Sequence, residues 1–112
     1  MDYFYMVTGN VLILSLTCEL DHHLAAELRV VLDGVIEERG ISAIVFDFEK
    51  VKFMDSSGIG LIMGRFRTLG RNGRIAISGA GVEVKRIVEI SGLMKIVSLA
   101  DNVNEAVHLL QN

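Results

Sequence analysis

The segment Ala43-Ile44-Val45-Phe46-Asp47-Phe48 restricts the fold most, because it is β-prone and apolar at nearly every position. A strand with one wet face alternates apolar and polar residues. An almost unbroken apolar run instead predicts a strand covered on both faces, as in a parallel sheet. Val11-Leu12-Ile13-Leu14-Ser15-Leu16-Thr17 reads the same way, with only Ser15 interrupting. Between the two runs, Leu24, Leu28, Val31, Leu32, Val35 and Ile36 keep helical spacing, while Glu27, Arg29, Asp33, Glu37 and Glu38 face elsewhere. Asp21 is placed to cap this helix and Gly40 to stop it. Strand, helix and strand form a βαβ unit, which is expected to be right-handed.

The remaining segments extend that unit. Tyr3 to Thr8, the pair Gly9-Asn10 and the run from Val11 predict a hairpin whose first strand lies at the sheet edge. Arg74 to Ser78 is a further strand, followed by the small-residue turn Gly79-Ala80-Gly81. Val84, Ile87, Val88 and Ser91 mark a third helix closed by Gly92, and Ile96 to Leu99 a last strand. Asp101 or Asn102 caps a final helix carrying Val103, Ala106, Val107 and Leu110. The expected fold is α/β: one domain over residues 1–112, with a small, mostly parallel sheet, one antiparallel edge strand and about four packed helices. A chain of 112 residues that is 51% hydrophobic can bury such a core without disulfides or a structural metal.

Composition narrows the function. With 11 Lys+Arg against 14 Asp+Glu, the formal charge of -3 gives no global attraction to nucleic acid or an anionic membrane. Apolar runs such as Val11 to Leu16 are too short to span a bilayer. The single cysteine, Cys18, has no internal disulfide partner, and Met1-Asp2-Tyr3-Phe4-Tyr5 lacks the basic start of a signal peptide. The expected compartment is the cytoplasm.

Chemistry is concentrated in the middle of the chain, at Phe53-Met54-Asp55-Ser56-Ser57-Gly58-Ile59-Gly60-Leu61-Ile62-Met63-Gly64-Arg65. Asp and Ser favour helix N-caps, since their oxygens accept from the first unpaired N–H groups. The segment therefore reads as a loop breaking into a helix that runs to about Arg71 and ends at Asn72-Gly73. A hydroxyl at its mouth has three uses: cap, nucleophile or phosphoacceptor. At about 100° per residue, Ile59, Ile62, Met63, Phe66 and Leu69 form the core face. Gly60, Leu61, Gly64, Thr68 and Arg71 lie on the Ser57 side. Each interior glycine costs about 0.5–1 kcal/mol relative to alanine, so a reason for Gly60 and Gly64 is needed. Either another element packs closely there, or the glycines shape a flat docking surface with Leu61 exposed on it. Arg65, Arg67, Arg71 and Arg74 make the region basic, and Ser56 through Val82 contains no acidic residue. That fits an acidic partner surface or an ordinary solvated face.

Enzyme readings meet the spacing poorly. A hydrolase elbow requires G-x-S-x-G, but Met54 precedes Ser56 by two and Asp55 precedes Ser57 by two. Gly58, Gly60 and Gly64 are spaced G-x-G-x-x-x-G, which is not the dinucleotide fingerprint. A metal site would draw on Cys18, Asp21, His22, His23 and His108. Adjacent histidines on a helix diverge by about 100°, which disfavours a shared ion.

Three blocks carry a family resemblance: Cys18-Glu19-Leu20-Asp21-His22-His23; Phe53 to Arg65; and Val84-Lys85-Arg86-Ile87 with Ser91-Gly92-Leu93-Met94-Lys95-Ile96. Together they span nearly the whole chain. The sequence resembles the STAS-domain anti-sigma factor antagonists, and among them the sporulation members. Cys18 stands where the family usually has Gly, and Gly81 or Val82 where a Pro often opens the third helix. The resemblance implies a non-enzymatic, cofactor-free binding protein, monomeric when free, whose phosphoacceptor is the first serine after the Asp, Ser56. It implies two protein partners. One is an anti-sigma factor serine kinase with bound ADP or ATP, from which the unphosphorylated antagonist displaces sigma. The other is a PP2C-type phosphatase. Asp21, His22, His23, Asp55, Ser57, Gly58, Gly60, Leu61, Gly64 and Arg65 would form the partner surface. An antagonist in a stress-response or other sigma circuit, and a small serine hydrolase, are the alternatives.

Overall fold

The computed structural model describes residues 1–111. The chain forms β1 (Tyr3–Thr8), β2 (Val11–Leu16), α1 (His22–Arg39), β3 (Ala43–Asp47), α2 (Ser56–Leu69), β4 (Arg74–Ser78), α3 (Val82–Ile90), a 3₁₀ turn (Leu93–Lys95), β5 (Val97–Ala100) and α4 (Val103–Gln111). The five strands lie side by side in chain order. β1 pairs antiparallel with β2, and every later pair is parallel. The architecture is the mostly parallel sheet with one antiparallel edge strand that the apolar runs predict.

Strand alternation sorts side chains by size onto the two faces. Leu12, Leu14, Ile44, Phe46, Ile75 and Ile77 point to one side, where they meet Leu28 and Leu32 of α1, Leu61 and Ile62 of α2, and Val84 and Val88 of α3. Val11, Ile13, Ala43, Val45 and Ala76 point to the other, against Ala106 and Leu110 of α4. Bulky residues thus carry the three-helix face, while alanines on strand and helix let α4 sit close on the other.

Helix ends follow their caps. The Asp21 side chain accepts from the Leu24 N–H, and Gly40 closes α1 in the left-handed conformation. α2 ends at Leu69, the last residue of its apolar pattern and two residues before the end expected from Asn72-Gly73, because Gly70 takes a positive φ of 86° and breaks the helical run. Asn102, not Asp101, caps α4, its side chain accepting from the Glu105 N–H at 2.8 Å. The last strand begins one residue later than expected, since Leu93–Lys95 winds into a 3₁₀ turn first.

Phe46 is fully buried and its ring centroid lies 5.9 Å from that of Phe48. Phe46→Ala is expected to lower unfolding free energy by about 3–5 kcal/mol. Phe4→Ala, on the exposed part of the edge strand, should change it by less than roughly 1 kcal/mol. Urea midpoints of the two variants measure the contrast.

Candidate functional site

β2 and β3 are parallel neighbours, so the segments leaving them reach the same end of the sheet. After β2 comes the turn to the start of α1; after β3 comes the loop to the start of α2. A short parallel bridge between Leu20 and Met54 joins the two segments. The Leu20 N–H donates to the Phe53 carbonyl and the Asp55 N–H to the Leu20 carbonyl, each at 3.3 Å. Both apolar side chains of the bridge are buried. The result is a pair of adjacent helix N-termini, one capped by Asp21 and the other by Asp55.

The Asp55 carboxylate accepts from the Ser57 N–H at 2.8 Å. Asp55 is therefore the cap, and Ser56 is the first residue of α2, exposed and with no side-chain hydrogen bond among the described residues. Ser57 is half-buried. Gly58 is buried, and a Cβ there would stand 3.0 Å from both Leu20 Cδ2 and Met54 Sδ. Its lack of a side chain lets the start of α2 close on the bridge.

Asp21 is itself exposed. Its carboxyl is held below the usual carboxylate range, mainly by the Leu24 N–H and further by the nearby His23 and His22. A carboxyl depressed in the folded state stabilises the protein above its unfolded pKa. That contribution is lost as pH falls through the lower, folded value.

His22 and His23 are exposed in the first turn of α1. Their rings do not diverge as helical spacing implies; the centroids are 4.1 Å apart, with the planes tilted by 35°. No earlier helical turn crowds these side chains, so their rotamers can bring the rings together. Among the described residues no three His, Cys, Asp or Glu side chains are grouped to hold a metal ion. The Cys18 thiol is pushed up, by burial first and then by Asp2.

Between α1 and α2 runs a groove of about 510 Å³, lined by His22, Ala25, Ala26 and Arg29 on one side and by Ser57, Gly60, Leu61, Gly64, Arg65, Arg67 and Thr68 on the other. A Cβ at Gly60 or Gly64 would meet nothing within 4 Å. No described element fills the space that these glycines leave.

Two expectations for α2 are corrected. Leu61 is 4% exposed and Arg65 5%, so neither presents its side chain on an open surface, whereas Met63, expected in the core, is 37% exposed. A projection with one apolar face overlooks that α2 has two neighbours. Ile62 faces the sheet, and α1 alongside covers a second stripe that includes Leu61 and Arg65. Arg65 Nε lies 2.8 Å from Asp33 Oδ1, a close ionic contact without the alignment of a hydrogen bond. Burial lowers the Arg65 pKa, Asp33 opposes that shift, and Arg29 and Arg67 add to it.

The loop also presents Phe53, 50% exposed directly before Met54 and Asp55. An exposed aromatic next to a functional turn is a signal that composition alone passes over. Arg29 likewise enters the site only through the packing of the two helices, while Thr68, expected on the Ser57 side, does line the groove.

Residues 5–106 match the STAS domain. The "Anti-sigma F factor antagonist" of Paenibacillus polymyxa is 38% identical over 94 residues, covering 83% of this chain and 80% of that protein. The chain is a STAS domain of the anti-sigma factor antagonist family. This STAS domain is also 36% identical over 76 residues to an "Anti-sigma-B factor antagonist" of Staphylococcus aureus (strain NCTC 8325 / PS 47), covering 67% of this chain and 69% of that one. Among solved structures it superposes on the anti-sigma factor antagonist SpoIIAA in its unphosphorylated form with a TM-score of 0.80, at 27% identity and 98% coverage of both chains. The phosphorylated form of the Bacillus cell fate determinant SpoIIAA gives 0.77, at 30% identity, 96% coverage of this STAS domain and 98% of that chain.

The three glycines of α2 separate by substitution. Gly60→Ala and Gly64→Ala should each raise stability by about 0.5–1 kcal/mol. Gly58→Val should lower it by about 1–3 kcal/mol through overpacking against Leu20 and Met54. Chemical denaturation checks the pattern, and a loss in Gly60→Ala would reveal a contact at that wall. Asp21→Asn keeps a capping oxygen but does not titrate. Its midpoint at neutral pH should lie slightly below that of the parent, and the gap should narrow on acidification in a pH series as the parent loses the contribution of the charged cap.

Proposed function

We propose that this STAS domain binds an anti-sigma factor serine kinase in its unphosphorylated form, so that sigma is released, and that phosphorylation of Ser56 ends the binding. One observation carries this reading: Ser56 is exposed at the start of α2, while the cap is supplied by Asp55. The hydroxyl is accessible to a kinase and is not needed to terminate the helix. The family membership and the two solved forms of SpoIIAA support the same circuit, and the fold matches both forms.

The physical consequence of modification is local. A phosphate adds about -1.5 to -2 charges at pH 7. At a helix N-terminus the dipole favours an anion, so the fold tolerates it. In a docked interface the same dianion would have to be desolvated beside Asp55. An unpaired buried charge costs several kcal/mol, and each 1.4 kcal/mol is about tenfold in affinity. The chain acts as substrate and switch and performs no catalysis itself.

The docking surface under this reading is the joined pair of N-termini and the groove beside them: Asp21, His22, His23, Asp55, Ser57, Gly58, Gly60 and Gly64, with Leu61 and Arg65 as its floor. Phe53 adds an exposed anchor at the rim. A PP2C-type phosphatase would restore Ser56. The partner carries the nucleotide, ADP or ATP, and the chain itself needs no cofactor. No described helix is long and apolar enough to cross a membrane; the circuit places the protein in the cytoplasm. The 38% identity to an anti-sigma F factor antagonist favours a sporulation circuit over a stress-response one.

Incubation with the cognate anti-sigma kinase and ATP should add one phosphate, mapped to Ser56 by mass spectrometry. Modification elsewhere overturns the assignment. Ser56→Asp should weaken kinase binding by about tenfold or more and keep Tm within roughly 2 °C of the parent. A large drop in Tm would make Ser56 a structural residue.

A further inference from the structure

We propose that the α1–α2 groove seats a carboxylate side chain of the docked partner on the cluster formed by Arg29, Arg65 and Arg67. This rests on the functional reading above and specifies the chemistry of the partner's docking segment: it presents an Asp or Glu flanked by small or apolar residues.

Arg65 is the buried cation of the groove. A guanidinium carries five N–H donors in a fixed planar fork. Here the residue is 5% exposed and lines the groove, its Nε touches Asp33 Oδ1 without hydrogen-bond alignment, and Nη1 is buried with no hydrogen-bond partner among the described residues. A buried donor left without an acceptor is unfavourable, and a buried charge more so. Asp33 meets only part of that demand. Two further cations, Arg29 and Arg67, stand along the same groove, and among the described residues no carboxylate lines it. Three like charges around one cleft attract an anion.

The shape selects a side chain of a macromolecule over a free ion. The cleft is long and open, and Gly60 and Gly64 leave the α2 wall bare, which allows another backbone to approach. Leu61 supplies an apolar patch in its floor. A carboxylate's two oxygens match a guanidinium fork, so an Asp or Glu seated against Arg29, Arg67 and the groove-lining edge of Arg65 would offset the positive charge that Asp33 pairs only in part.

The test uses the full chain and its cognate anti-sigma factor kinase with ADP, by calorimetry at low and moderate salt. Arg29→Glu/Arg67→Glu should weaken binding at least about tenfold at low salt, and Arg29→Gln/Arg67→Gln should weaken it less and flatten the salt dependence. Both arginines are exposed, so these variants should fold. Asp33→Asn removes the internal competitor for Arg65 and should tighten binding while lowering Tm, a pair of effects that a purely structural ion pair would not produce. Unchanged affinity in the charge-reversed variant overturns the proposal.

If the parent protein binds no anti-sigma factor, the functional reading fails, and the groove is judged separately by NMR with the peptide acetyl-Ala-Ala-Glu-Ala-Ala amide as probe. Saturable shifts at the Gly60, Gly64 and Thr68 amides, lost in Arg29→Gln/Arg67→Gln, support the carboxylate site. An absence of shifts overturns it. So does inorganic phosphate that saturates the same amides at lower concentration than the peptide, which would make the groove a phosphate site.

Discussion

The bridge between Leu20 and Met54 is the contact on which the arrangement of the site depends. Two backbone hydrogen bonds and two buried side chains fasten the turn after β2 to the loop after β3. Parallel pairing of those strands brings their C-terminal ends to one edge of the sheet, where α/β folds commonly hold their ligand sites. Without the bridge, two loops would share an edge but have no fixed relation. With it, the Asp21 cap and the Asp55 cap become parts of one surface. Gly58 belongs to the same device, because a Cβ there would press on Leu20 Cδ2 and Met54 Sδ at 3.0 Å, and the side chains that close the junction would have to shift.

The strands and helices were legible because each is set by a local pattern. Nearly unbroken apolar runs marked β2 and β3 as strands covered on both faces, and caps at Asp21 and Gly40 bounded α1. What was not legible depended on neighbours. The second buried stripe of α2 arises from α1, which lies far back in sequence, so the projection left Leu61 exposed and placed Met63 inside. The choice between close packing and open space at Gly60 and Gly64 also required the positions of both helices. Arg65 is the sharpest case. In sequence it is one of several arginines on a basic helix, while in the fold it is a buried cation set against Asp33. Phe53 was present in the central motif, but its exposure follows from the bridge turning Met54 inward.

The site residues divide into those that build the surface and those left available on it. Asp21, Asp55, Leu20, Met54 and Gly58 are occupied in capping and in closing the junction. Ser56, Phe53, His22 and His23 are exposed, and Gly60 and Gly64 define an unfilled wall. A cap substitution therefore acts on folding first: replacing Asp55 by Ala removes the acceptor for the Ser57 N–H and costs about 1 kcal/mol. Loss of binding in such a variant would mix two causes, whereas a change at Gly60 or Gly64 would separate them, since stability and affinity should move in opposite directions.

That separation is also what a phosphorylation switch requires. If the modified hydroxyl were the helix cap, adding a phosphate would disturb α2 along with the interface, and the off state would be partly unfolded. Because Asp55 holds the cap, a charge on Ser56 changes the surface while the helix end remains closed. Asp55 is the adjacent residue, so an anion on Ser56 would gain the helix dipole and meet the charge of the cap at once. Under the proposed switch these opposed effects would leave the stability of the fold little changed. Under the proposed function the partner interface would have no such opposition of effects: it would either neutralise the dianion or lose contact with the mouth of the groove.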